Sequence, residues 1–400
     1  MTRNLDVSVC ILGAGPVGAT LAARLAGAGI ATAIVDAAPL PPMELPEFDG
    51  RAYAIAAGSR ALLEVAGVWD RLPTDPNPIR AIRVADGRPG EPASRLKLDF
   101  SAEETGVEAF GWMLEARALR VALNARLPLL PNLTVFAPAR ATAERDDSGA
   151  RITLDTGDTI TARLLVGAEG RASPSRRAAG IPELHHDYGQ IGIVGAVAHE
   201  HPHHDRALEL FLPNGPFAQL PMRRTAEHPH LSAIVWSEKR EIAEAALRLP
   251  DDAYGREIAR RMGGHLGRVT PVGRRWSYPL SALHVARYVD RRLALVGDAA
   301  HGIHPIAGQG LNLGFRDAAA LADAVIGAAD PGAPEVLARY QRARRPDGLL
   351  MLGATHGLEA LFGNDIAPLR LARRLGIAAV DRLPGLKRFF ARRAMGLAAA

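Results

Sequence analysis

The chain has a single cysteine, Cys10, in 400 residues. A disulfide within the chain is excluded, and so is a thiolate-held metal cluster. That usage fits a reducing, cytoplasmic setting. No uninterrupted apolar run reaches the roughly 18 residues that a membrane span needs. The opening MTRNLDVSVCILGAG lacks the basic region and apolar core of a signal peptide, so none is expected. No Ser-His-Asp arrangement or carboxylate pair is readable from the spacing, so the chemistry is expected to be a cofactor's. What is present is the composition of a globular chain, 48% hydrophobic and 23% charged, long enough for two or three domains.

The net charge of +5 is unevenly spread. Residues 366–400 carry +7 and the rest sums to about −2. A near-neutral body argues against nucleic acid, whereas a basic, apolar tail suits an anionic surface. The tail reads as two short helices broken at Pro384-Gly385. Leu386, Phe389, Phe390 and Met395 share a face there, rimmed by Lys387, Arg388, Arg392 and Arg393. Two readings stay open: a helix docked on the body, or a patch for the inner face of a membrane or a partner complex.

The first half is dominated by DVSVCILGAGPVGATLAARLAGAGIATAIVDAA. The strand VSVCIL leads to Gly13, Gly15 and Gly18, then a helix from Pro16 to about Ala28, then a strand ending at Asp36. In this G-x-G-x-x-G pattern the first glycine allows the turn and the second lets backbone approach a pyrophosphate. The third lets helix and strand pack closely, and Asp36 can accept from a ribose. An ADP-containing dinucleotide is expected. A third strand, ITARLLVGAEG, ends at Gly170, and a fourth, RRLALVGDAAH, ends at Asp298. GIHPIAGQG and a helix from about Leu311 to Val325 follow. The Rossmann-like pieces are thus scattered, whereas a simple NAD dehydrogenase would keep them contiguous.

The stretch from 304 to 317 reads H-P-x-A/G-G-Q-G-x-N-x-G-x-x-D without a mismatch, as His304, Pro305, Ala307, Gly308, Gln309, Gly310, Asn312, Gly314 and Asp317. On this signature, with DGRAYAIAAGSRALLEVAGVW, GPFAQLPM, YPLSA and RLPGLKRFFARRAMG, the chain resembles the ubiquinone-biosynthesis hydroxylases. These are class A flavin-dependent aromatic monooxygenases, and the likeness covers nearly the whole chain. It implies an α/β, p-hydroxybenzoate hydroxylase-like fold. A discontinuous Rossmann-like FAD-binding domain would take 1–75, 100–178 and 285–345. An antiparallel-sheet substrate domain would take 76–99 and 179–284, and a basic amphipathic helical region 346–400.

The resemblance also implies the chemistry. NAD(P)H reduces FAD, O2 adds to give a flavin C4a-hydroperoxide, and an oxygen atom passes to a polyprenylated phenol. Asp298 would bond the ribityl chain. Pro305, Gly308, Gly310, Leu311 and Asn312 would lie beside the isoalloxazine ring, where the following helix N-terminus stabilises negative charge. Arg51 would contact FAD phosphates or the nicotinamide entry, and Arg117 lies near a flavin-contacting position. His304 and Gln309 are candidates close to the ring, and His301 is read equally as a structural strand-end residue. The family's Asp-Gly after the third strand is Glu169-Gly170 here. Glutamate keeps the charge, so FAD binding is expected to survive.

Between about Gly180 and Leu283, IGIVGAVAHE, RALELFLP, FAQLPM and LSAIVW alternate as antiparallel strands, with a shorter piece near Ile79–Leu98. This sheet would roof the flavin. Histidines 185, 186, 199, 201, 203 and 204 invite a metal reading, but Pro202 breaks helical ligand geometry and a solvated loop is expected instead. Rival readings are a related hydroxylase of a soluble aromatic, a reductase of the same fold, and a non-catalytic flavoprotein scaffold in a lipid-biosynthesis assembly.

Overall fold

A computed structural model of the chain describes residues 3–40 and 48–362, with 383, 385, 387, 392, 395 and 396. The apolar run at the start forms the strand Asn4–Leu12, central to a parallel array. Leu133–Phe136, Thr32–Val35, Asn4–Leu12, Thr159–Gly167 and Leu293–Leu295 lie side by side in that order. Val9, Cys10 and Ile11 are fully buried, as expected of strands covered on both faces. The helix Pro16–Gly27 packs beside the helix Gln309–Val325, so the first and last pieces of this layer meet in space.

A second sheet takes most of 183–302. Its order is His301–Gly302, Val269–Val285, Glu183–His199, Leu231–Lys239, Gly215–Met222, Arg206–Leu212, Ala81–Asp86 and Lys97–Ser101. Pairing is antiparallel except between Arg206–Leu212 and Ala81–Asp86. Its outer face packs under the helices Arg240–Leu247 and Asp251–Arg261 through Phe217, Trp236 and Tyr254. Its inner face turns toward the parallel layer. A small third sheet, Ala52–Ala56, Gly111–Glu115 and Asn77–Ile79, lies beside the seam. The long helix Pro334–Phe362 packs on both Gln309–Val325 and the second sheet.

Two strands end earlier than the sequence suggests. Thr159–Gly167 stops three residues short of Gly170, and the strand expected to reach Asp298 stops at Leu295. Gly297, at φ +60°, turns the backbone out of the sheet into the tight turn Gly297–Ala299. The chain then joins the second sheet at His301–Gly302. One short segment therefore belongs to both layers.

Leu386, Arg388, Phe389, Phe390 and Arg393 lie outside the described residues. Some of the described tail residues touch the body, while Leu383 is exposed. Met395 is buried with Ala102 and Phe110, and its carbonyl accepts from Gly58 N at 3.0 Å. Lys387 Nζ lies 3.8 Å from Glu104. Among the described residues no helix is long and apolar enough to cross a membrane.

Candidate active site

The carboxyl ends of the parallel strands open on a cleft of about 850 Å³ between the two sheets. In open α/β sheets this is where ligands bind. Gly13 takes φ +103°, and a Cβ on it would meet the Ala168 carbonyl oxygen at 2.4 Å. A Cβ on Gly18 would sit 2.0 Å from the Gly13 carbonyl, so this glycine is required by close packing. A Cβ on Gly15 would meet nothing within 4 Å, because Gly15 faces the cleft. The helix Pro16–Gly27 has no side-chain cap and no acid in its first turn. Its free N–H groups and positive end favour an anion.

Asp36 follows the neighbouring strand Thr32–Val35. Its carboxylate accepts from Ala14 N at 2.6 Å and Ala38 N at 2.8 Å, which fixes it at the cleft wall with lone pairs to spare. Arg120 tethers the same turn by donating from Nη1 to the Ala14 carbonyl at 2.7 Å. Sequence reasoning pointed to Arg117, three residues earlier on the helix Ala116–Arg126, which is not among the cleft walls. Glu169 is at the wall. Its Oε2 accepts from Ser173 Oγ at 2.6 Å and Ser175 N at 3.3 Å, while burial pushes its carboxyl above the usual range.

Asp298 projects from the Gly297–Ala299 turn into the cleft and is half-exposed. Arg171 Nε donates to it at 3.4 Å, and Arg171 Nη1 donates to Ser281 Oγ at 2.7 Å. Arg171 thus bridges floor and roof, and no pattern in the sequence marked it. Pro305, Gly308, Gly310 and Leu311 continue the floor. Gly308 takes φ +62°, and a Cβ on Gly310 would meet nothing. The helix Gln309–Val325 again has no side-chain cap and no acid in its first turn.

Other residues of the signature work behind this floor. Asn312 accepts from Ala56 N at 2.8 Å and donates to the carbonyls of Ala54 and Gly308 at 2.8 and 3.1 Å. It clamps the floor loop to the strand Ala52–Ala56. Asp317 is fully buried and accepts from Arg344 Nε at 2.8 Å, His301 Nε2 at 2.5 Å and Gly297 N at 3.0 Å. Burial opposes its charge, but the His301 and Arg344 charges hold its pKa below the usual range. It therefore fixes the turn that carries Asp298.

His304 is fully buried, with Nε2 3.1 Å from Gln190 Oε1, and burial lowers its pKa to about 4. Gln309 is buried and accepts from Arg316 Nη2 at 3.0 Å. Neither is among the cleft walls, though His301 is. Arg51 is also off the walls. It pairs with Asp49 at 2.7 Å and stacks over Trp276 at 4.3 Å, beside Tyr278 of the cleft rim.

The roof is apolar. Gly192, Val194, Leu220, Val235 and Leu280 face the floor. The expected solvated histidine loop is partly internal, because His199 belongs to a strand. It is buried, its Nε2 is 2.8 Å from Ser232 Oγ and its Nδ1 is 2.7 Å from the His201 carbonyl. Among the described residues no group of three His, Cys, Asp or Glu could hold a metal ion.

Comparison with known proteins agrees with this geometry. Residues 6–352 match the FAD binding domain family model. Ubiquinone hydroxylase UbiL of Rhodospirillum rubrum is 49% identical over 394 residues, covering 97% of this chain and 89% of that protein. The 3-demethoxyubiquinol 3-hydroxylase of Escherichia coli is 34% identical over 408 residues, covering 98% and 100%. p-Nitrophenol 4-monooxygenase PnpA from Pseudomonas putida shares the fold, with a TM-score of 0.80 at 19% identity over the whole of both chains. PqsL from Pseudomonas aeruginosa, a probable FAD-dependent monooxygenase, has a TM-score of 0.74 at 24% identity, covering 93% of this chain and 100% of that one. The fold, the cleft and these relatives agree: the chain belongs to the FAD binding domain family and, within it, groups with the ubiquinone-biosynthesis hydroxylases.

Proposed function

We propose that this chain is an FAD-dependent monooxygenase that hydroxylates the ring of a polyprenylated phenol during ubiquinone assembly. The observation that carries the reading is the pairing of two bare helix N-termini on one floor with an apolar roof above them. Gly15 and Gly310 leave open space where a bound group must lie against backbone, so the residues present fit FAD. When bound, FAD supplies the redox chemistry, taking reducing equivalents from NAD(P)H and using O2 to deliver one oxygen atom to the ring.

The remaining tasks fall to the chain. The Pro16–Gly27 N-terminus would take the pyrophosphate, with Gly13, Gly15 and Gly18 shaping the approach and Asp36 accepting from a ribose. Asp298, held by Arg171, would accept from ribityl hydroxyls. Pro305, Gly308, Gly310 and Leu311 would underlie the ring, and the Gln309–Val325 N-terminus would stabilise its reduced, anionic form. Glu169 would sit beside the cofactor with its charge reduced by burial. Val194, Leu220 and Val235 would hold the substrate ring and keep water out. Arg51, paired with Asp49, and Arg274 flank Trp276 at the rim where a pyridine nucleotide would arrive. The basic tail, anchored through Met395, would present its remaining charge to a membrane surface or a quinone-biosynthesis complex.

The test is direct. The purified chain is expected to retain FAD and to oxidise NAD(P)H faster when a short-chain prenylphenol is present, with one oxygen atom added to the product by mass spectrometry. Deletion of the gene is expected to accumulate a prenylated phenol lacking one ring oxygen. An unchanged quinone profile together with turnover of an unprenylated phenol would move the assignment to a soluble aromatic.

A further inference from the structure

The inner face of the second sheet carries one acid for which the described structure supplies no partner. Cross-strand register places Val194, Val235, Ala218, Glu209 and Val84 in a single row. Residues in such a row project to the same face. Val194 and Val235 line the cleft, and Glu209 is on the same face of the sheet, two strands beyond Val235 and past the cleft's own walls. At about 4.8 Å per strand its backbone is about 10 Å from that of Val235, the span of a phenol ring plus a glutamate side chain.

The surroundings of Glu209 are apolar. Ala218 and Val84 flank it across the sheet, and Ala207 and Phe211 flank it along its own strand. Phe211 stacks on Phe362 with centroids 3.8 Å apart. Of the charged side chains on adjoining elements, Asp86 stands across from Phe211 on the same face. Arg83 is on the other face, paired with Asp99, and Glu359 of the long helix accepts from Gln190. Among the described residues none of these forms a hydrogen bond or ion pair with Glu209.

Other enclosed acids are satisfied. Asp317 has three donors, Glu238 has Arg261 and its neighbouring backbone N–H, and Glu169 has two serines. A half-buried carboxyl among apolar neighbours is costly to ionise without a partner, so one that no protein group meets is open to a ligand. Glu209 also keeps some accessible surface, so a bound molecule could reach it. Burial pushes its carboxyl up to about 8, which makes its ionised form a stronger base than an ordinary carboxylate.

Resting on the hydroxylase reading, we propose that Glu209 contacts the substrate, hydrogen-bonding the phenol hydroxyl and accepting its proton as oxygen is delivered to the ring. The phenol O–H bond breaks and a carboxyl O–H bond forms. The electron pair left on the phenol oxygen enriches the ring, and the proton leaves to solvent when product departs. No electron is gained or lost by Glu209.

The test compares Glu209→Gln and Glu209→Asp with the wild type, all loaded with FAD, on a short-chain prenylphenol and its methyl ether. Wild-type kcat/KM for the phenol is expected to rise with pH toward about 8. In Glu209→Gln that limb disappears and kcat/KM falls at least about tenfold, while binding of the ether changes by less than about twofold. Glu209→Asp is expected to restore the limb in part. Binding gives an independent readout. In the oxidised proteins the near-UV band of bound phenol shifts to the red, as on ionisation, in the wild type and not in Glu209→Gln. Equal pH limbs and equal band shifts in both would overturn the assignment of Glu209 while leaving the hydroxylase reading intact. No phenol-dependent NAD(P)H oxidation in the wild type would instead remove that reading, and a band shift insensitive to Glu209→Gln would then remove this one as well.

Discussion

Two loop-to-helix junctions bound the cleft, and they are built to one plan. Each begins with a glycine at positive φ, Gly13 or Gly308. Each continues with a glycine open to the cleft, Gly15 or Gly310, and then one pressed against a neighbour, Gly18 against Gly13 or Gly314 against Val17. The difference lies in their acids. Asp36 serves the first junction from the cleft wall, held by two backbone N–H groups. Asp317 serves the second from the interior, tied to Arg344, His301 and Gly297. An acid of a glycine-rich signature is thus as able to be a fastening as a ligand, and burial tells which.

The comparison is broken most severely at the packed glycines. Gly18→Val is expected to abolish soluble, FAD-containing protein, because even a Cβ overlaps the Gly13 carbonyl; expression with a visible flavin spectrum checks this. Asp317→Asn should come next. Breaking a buried ion pair from one side costs about 3–5 kcal/mol, so urea unfolding should move to markedly lower denaturant. Gly15→Ala and Gly310→Ala should do the opposite. With open space at both positions, apoprotein stability should stay within about 0.5 kcal/mol of wild type. FAD affinity should nonetheless fall about tenfold for Gly15→Ala, where backbone must approach the pyrophosphate, as read by flavin fluorescence titration. If apoprotein stability falls as well, the open glycine is structural and the parallel between the junctions fails.

Smaller effects sharpen it further. Arg120→Met removes one hydrogen bond from the Gly13 turn, and a loss of about 1 kcal/mol in FAD binding is expected. The acid response should be gentler still. Burial depresses His199, His284 and His304 to about 4, below the roughly 6.5 of an unfolded histidine. Between those values the unfolded chain binds more protons. Stability is therefore fully present above about 6.5 and declines as pH falls toward 4. Urea midpoints from neutral to mildly acidic pH should show this slope, and His304→Gln should flatten it.

The parts legible in the sequence were those where backbone is under local constraint. A strand, glycines at fixed spacing and a helix announce both junctions because turn, approach and packing each demand glycine within a few residues. What stayed hidden depends on pairings between distant segments. Arg120 meets Ala14 across 106 positions, and Asn312 meets Ala56 across 256. Asn312, Gln309 and His304 share the signature with true wall residues, yet their side chains are engaged behind it. Glu209 lies in an ordinary alternating strand, and only the order of four strands reveals which face it shares with the cleft. The early end of the strand before Asp298 depends on one glycine torsion that composition does not signal.

The turn after Leu295 has a consequence for how such a protein could be recombined. Five residues separate the last parallel strand from His301–Gly302, which already belongs to the roof. Floor and roof therefore have no natural cutting point on this side. A chimera that imports a foreign roof to change substrate must carry residues 296–302 with it. It must also carry Asp317 and Arg344, which fasten them, or else transplant a specificity without the piece that registers it against the cofactor.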